Sequence, residues 1–268
     1  VEAPAVFISE YIEGSVGNNK ALEIYNGDDV AVDLNDLALW RISNAGSWYE
    51  YLFLFSDYST EFDMTLDPGE VFAICNGGSD VEISSVSDMV GTALCYHNGN
   101  DALGVAYRSI SGADTTWTLI DAIGEESAST PSNWDVAGVV GAGADHTLIR
   151  KTSVTQGNTN WTSSAGTDEF DSEWIVLDDG TFNYLGSHPD VIIVDNAPVI
   201  TGLAHLPAAP EAIDVVTVSA DVTDDNALVS VTLYYAVDGG AETSVAMTNV
   251  GDTYSGDIPA QADQSDVT

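Results

Sequence analysis

The chain has 268 residues, 44% of them apolar, and sets five Lys+Arg against 43 Asp+Glu for a formal net charge of -38. Such a chain repels polyphosphate instead of gathering it by counterion release, so nucleic-acid binding by this segment alone is not expected. It also lacks the basic flanks and the apolar run of about 18 residues that a membrane segment needs, so no membrane insertion is expected.

The cations are Lys20, Arg41, Arg108, Arg150 and Lys151, and none follows residue 151. Self-repulsion on this scale is tolerated where salt screens it or divalent cations bind, so an extracellular or cell-surface setting is expected. The first residue is Val, and no cationic and then apolar leader follows. The sequence is therefore expected to be a processed product or a piece of a larger protein.

In chain order, short runs rich in β-branched and aromatic residues alternate with Gly, Asn, Asp and Ser clusters, the pattern of an all-β sandwich. The first two, VFISEYI and KALEIYN, read as a hairpin joined by EGSVGNN, whose Gly14, Gly17, Asn18 and Asn19 tolerate left-handed backbone. Ile8, Leu22 and Ile24 are expected to point inward, Glu23 and Lys20 to face solvent. The glutamates Glu10, Glu13 and Glu23 then need no reaction to explain them, since paired catalytic carboxylates require a cleft that a hairpin alone does not supply.

LALWRIS, YEYLFLF and EVFAIC follow, the last after the turn Asp67-Pro68-Gly69, where proline fixes φ and glycine accepts φ > 0. Two cysteines, Cys75 and Cys95, are too few for a disulfide scaffold or a zinc site. Each ends a strand-like run, and outside the cell they are expected to form one bridge. In YHNGNDALGV, His97, Asn98, Asn100 and Asp101 cluster in a polar turn. Asn98, Asn100 and Asp101 are hard oxygen donors of the kind calcium takes, and equally the residues of an Asx-rich turn that caps backbone N–H groups. His97, His146, His188 and His205 form no pair at metal spacing.

Trp48, Tyr49, Tyr51 and Trp134 fall near turns. Trp48, Tyr49 and Trp134 are candidates for a glycan-binding platform, or else core residues; Trp117, Trp161 and Trp174 fit the core. There is no G-x-S-x-G elbow and no phosphate loop.

A boundary is expected near 190, where GSHPDVIIVDNAPVI combines two prolines with polar residues. After it VSVTLYYAV alternates with period two, and a second β-domain of about five strands follows, fewer than the roughly seven of an immunoglobulin-like sandwich. The domains are therefore read as 1–190 and 191–268, two immunoglobulin-like β-sandwiches in series with the second truncated.

VFISEYIEGSVGNNKALEIYN followed by VDLNDLALW, LDPGEVFAIC, HNGNDALGV, LIDAIGE, WDVAG, HTLIRK and FNYLGSHP resembles, over about residues 5–189, the lamin tail domain of secreted bacterial proteins. The resemblance implies an immunoglobulin-like sandwich that accompanies nucleases, phosphatases or adhesive repeats and is not itself catalytic. Residues from about 198 resemble bacterial immunoglobulin-like or fibronectin-type repeats. The fragment VDNAPV is similar to the calcium linkers of cadherins, which implies calcium on Asp195 and Asn196 together with Asp221, Asp224 and Asp225.

The expected function is a non-catalytic accessory module of a larger secreted or cell-surface protein, for binding, attachment or spacing, with a protein, glycan or cell-surface partner. The alternative is part of a secreted hydrolase of nuclease or phosphatase type whose active site lies outside this segment.

Overall fold

The computed structural model describes residues 3–44, 46–111, 114–126, 132–188, 198–224, 228 and 230–268. The chain forms two compact units, residues 1–192 and 193–268, and both are built from β-strands.

The first unit contains β1 (Val6–Glu13), β2 (Lys20–Asn26), β3 (Val32–Asp33), β4 (Leu37–Ile42), β5 (Tyr51–Leu54), β6 (Thr65–Leu66), β7 (Val71–Cys75), β8 (Met89–Val90), β9 (Ala102–Ser111), β10 (Asp114–Ile123), β11 (His146–Arg150) and β12 (Trp174–Asp178). One sheet runs β12-β11-β1-β2-β7-β8 and the other β10-β9-β4-β5, with β3 and β6 as a small separate ladder. All pairings are antiparallel except β7 with β8. The hairpin read from the sequence is present: Glu13 pairs with Lys20 and Val6 with Asn26, and Gly17 turns the connection at φ +61.

Period-two alternation sends Ile8, Tyr11, Leu22, Ile24, Ile74 and Leu148 from the first sheet against Leu37, Leu39, Phe53, Leu103 and Val105 from the second, and these residues form the main core. Burying this apolar set is the dominant favourable contribution to folding.

The opposite face of the six-stranded sheet is also covered. Ile12, Ala21, Ala73 and Cys75 pack there beneath Ile83 of the one-turn helix α1 (Val81–Ser84) and beneath Leu185 and Phe182. Residues 181–188 thus form a strap across the sheet, and β1 is buried along its whole length.

The second unit contains β13 (Val199–Leu206), β14 (Val216–Thr223), β15 (Thr232–Tyr235), β16 (Thr243–Ala246), β17 (Thr248–Val250) and β18 (Thr253–Ile258), six described strands where about five were expected. They form the sheets β13-β14-β18-β17 and β15-β16. Its core is thin: Ala220, Val222, Tyr235 and Ile258 are its buried apolar residues among those described. No helix of the described residues is long and apolar enough to cross a membrane.

Candidate functional site

The opening hairpin carries Glu10, Glu13, Lys20 and Glu23, and its carboxylates are packed into the fold. Lys20 is 9% exposed and Glu23 fully buried, which corrects the expectation that both face solvent. Alternation also separates the two: Lys20 shares the face of Leu22 and Ile24, Glu23 that of Ala21, and both faces are covered.

On the core side, Lys20 Nζ donates to Glu13 Oε1 at 2.6 Å, to the His97 carbonyl at 2.6 Å and to Asn98 Oδ1 at 3.1 Å, which uses all three ammonium protons. Glu13 Oε2 accepts from the Asp145 N–H. The His97 ring, fully buried, lies 4.8 Å from the Tyr11 ring and places Nε2 2.9 Å from the Ile12 carbonyl. Burial holds the imidazole down at about 4, and the nearby Lys20 and Arg41 charges add to this. The ring is therefore neutral in ordinary buffers, with Nε2 as the donor to Ile12.

The turn carrying Asn98, Asn100 and Asp101 is closed by its own bonds. Asp101 Oδ1 accepts from the Asn44 N–H at 2.7 Å and Oδ2 from the Asn98 N–H at 2.9 Å, while Arg41 stands 3.6 Å away. The Asp101 carbonyl accepts from Trp134 Nε1. These contacts are those of the Asx-turn reading. No group of three or more His, Cys, Asp or Glu able to hold a metal occurs among the described residues. For the interdomain set, Asp195, Asn196 and Asp225 lie outside the described residues; Asp221 Oδ1 accepts from Thr253 Oγ1 at 2.6 Å.

On the strap side, Glu10 and Glu23 are cross-strand neighbours. Glu23 Oε1 accepts from Ser9 Oγ at 2.6 Å and Oε2 from the Gly186 N–H at 2.7 Å. Glu10 is 1% exposed, and its carboxyl oxygens have no hydrogen-bond partner among the described residues. Burial, reinforced by Glu23, pushes the Glu10 carboxyl well up. Burial raises Glu23 to about 7 against the opposing pull of Ser9 and Gly186.

Cys75 and Cys95 are buried free thiols, a correction to the expected bridge. Cys75 points to the strap side among Ile12, Ala21 and Ile83, and Cys95 sits in the main core with Sγ 3.3 Å from the Ile74 carbonyl. Cys75 projects from β7 to one face of the sheet, and Cys95, from the 3-10 turn Ala93–Tyr96, packs on the other. Burial pushes both thiols up, away from the reactive thiolate.

The aromatic candidates separate. Trp134 is 8% exposed and packs edge-to-face on Trp161, so it is a core residue. Trp48 and Tyr49 come together with Trp40, which sequence reading did not single out, on the outer face of the four-stranded sheet. Ring centroids lie 6.0 Å apart for Trp40–Trp48 and 4.4 Å for Trp40–Tyr49. Trp117, expected in the core, is half-buried on this face beside Leu54 and Leu119. Gly104 makes room for the packing, because a Cβ there would meet Leu119 Cδ1 at 2.5 Å and Trp48 Cζ3 at 3.2 Å. Tyr49 is 57% exposed and sits at φ +78, a left-handed conformation that a bulky side chain seldom adopts.

No curated protein matches the chain. The family model described as Lamin Tail Domain matches residues 2–133, which contain β1 to β10, the whole four-stranded sheet and four of the six strands of the other. With the sandwich and its hairpin in view, residues 2–133 belong to the lamin tail domain family, a family of immunoglobulin-like domains.

Proposed function

We propose that the chain is a non-catalytic binding module of a larger exported protein, and that the outer face of its four-stranded sheet takes a neutral glycan. The observation that carries this reading is Tyr49, held exposed in a strained backbone conformation against Trp40 and beside Trp48. Strain of this kind costs on the order of 1–3 kcal/mol and collects at sites of function. Aromatic rings receive the apolar face of a sugar while neighbouring polar groups meet its hydroxyls. Arg108, the cross-strand partner of Trp117, forms an ion pair with Asp36 and supplies such groups on the same sheet.

The charge of the chain selects among glycans. A net charge of -38 repels uronate- and sulfate-bearing polymers, which leaves neutral ones.

Affinity electrophoresis through gels containing mannan, β-glucan or a neutral galactan tests this. The expected result is retardation in at least one gel, reduced tenfold or more in apparent affinity by Tyr49→Ala and by Trp117→Ala. Equal mobility in every gel, or retardation that both variants keep, would contradict it.

A further inference from the structure

The pair Glu10 and Glu23 is the one feature of the opening hairpin that packing alone leaves unexplained. Two carboxyls sit on adjacent strands, both buried, and Glu10 finds no hydrogen-bond partner among the described residues. Buried acids are ordinarily matched by a cation. Here each of the five cations is engaged elsewhere: Lys20 with Glu13, Arg41 with Asp101, Arg108 with Asp36, Arg150 with Asp121 and Glu173, and Lys151 with the carbonyls of Glu169 and Ser172.

What lies over the pair is the strap. It is fastened by the Gly186 N–H on Glu23, by Thr147 Oγ1 donating to the Thr181 carbonyl at 2.8 Å, and by Leu185 and Phe182 on the sheet. His188 closes it with its ring 4.7 Å from that of Tyr25 and 6.1 Å from that of Phe7.

We propose that Glu10 and Glu23 form a proton-operated latch for the strap of residues 181–188: with the pair carrying protons the strap lies closed on the sheet, and loss of those protons to solvent lifts it. Two ionised carboxylates side by side in a dry site repel each other and lack hydration, and both penalties disappear once the strap admits water. The other titratable groups around the pair do not relieve it. Asp88, on the connection between β7 and β8, adds negative charge and is held by the Ala73 N–H. Tyr25 and Cys75 on the sheet bring no cation to it, Glu82 of α1 faces solvent, and Tyr184 and His188 belong to the strap itself.

The direction of the response follows from linkage. Both carboxyls are raised in the closed state, Glu23 to about 7, and return towards 4.5 when exposed. The closed form is therefore fully favoured below about pH 4.5 and loses ground as pH rises through 7. Each proton released on opening shifts the balance about tenfold per pH unit in that window.

Residue-resolved amide exchange on the whole chain between pH 5.5 and pH 8 tests the latch. Protection of Gly186, corrected for the intrinsic rate, should fall at least tenfold, while Ile24 and Phe72 in the sheet centre keep theirs. Glu10→Gln should flatten the fall at Gly186. Carboxyl NMR of the unaltered chain gives a second reading that needs no variant, with Glu23 expected to titrate near 7 and Glu10 well above the ordinary carboxylate range. Constant protection at Gly186, parallel loss at Ile24 and Phe72, a fall that Glu10→Gln leaves unchanged, or carboxyls titrating near 4.5 would each overturn the proposal.

Discussion

Arg150 and Asp121, both with fully buried side chains, meet at 2.5 Å where β1 and β10 each break register. Asp121 Oδ2 accepts from the Ile8 N–H at 2.7 Å, and Arg150 Nε donates to the Ile8 carbonyl at 3.1 Å. The pair thus supplies the bonds that the bulged strand cannot take from a neighbour. Arg150 also donates to Ser164 and Glu173 and lies over the Trp174 ring at 4.0 Å, which ties the short helix α2 (Trp161–Ala165) and β12 to the same point.

Breaking this pair is expected to be costly, because the partner left behind is a desolvated charge. Arg150→Met should lower the stability of the first unit by about 3–5 kcal/mol in urea unfolding. The double variant Arg150→Met with Asp121→Leu should cost less than the sum of the single changes. Additive losses would show that the two groups act independently.

His97 sets an acid limit on the first unit. Its folded value of about 4 lies below the ordinary 6.5, so its contribution is complete above pH 6.5 and is lost as pH falls through 4. The loss amounts to roughly 3 kcal/mol. A proton NMR titration should place His97 near 4, and His97→Phe should remove that part of the acid limb. A value near 6.5 would contradict the burial.

Asp101 is expected to matter through its oxygens as acceptors. Asp101→Ala leaves the N–H groups of Asn44 and Asn98 without their partner, a loss of about 1–3 kcal/mol for each left dry. Thermal unfolding should show this loss equally with calcium and with a chelator. A calcium-dependent difference at this position would give the turn a metal-binding role.

The cysteines should behave as inert thiols. Neither Cys75 nor Cys95 should react with a thiol reagent in the native state, both should react in denaturant, and a reductant should leave the unfolding temperature unchanged. A native mass lower by two hydrogens would establish the bridge that the sequence suggests.

The fold was legible where periodicity carries it. Alternation in VFISEYI and KALEIYN gives a hairpin with Ile8, Leu22 and Ile24 inward, and the lamin tail resemblance follows from the order of the runs. Burial of Glu23 was not legible, because alternation assigns a residue to a face and says nothing of what covers that face. Its cover comes from Leu185 and Gly186, more than a hundred residues away in the chain. Trp134 and Trp117 exchanged roles for a related reason: a tryptophan near a turn is placed by the partner its indole N–H finds, and for Trp134 that partner is the buried Asp101 carbonyl. The backbone strain at Tyr49 left no mark in the sequence, since nothing in GSWYEY demands a left-handed tyrosine.

The account holds that the acids of the opening hairpin are packing and latch elements of a non-catalytic module, and turnover is its most direct test. The chain, given magnesium, manganese or calcium, should hydrolyse single- and double-stranded DNA, aryl phosphates and aryl glycosides no faster than buffer does. Turnover of any of these that Glu13→Gln or Glu23→Gln abolishes, with the fold intact by circular dichroism, would contradict it.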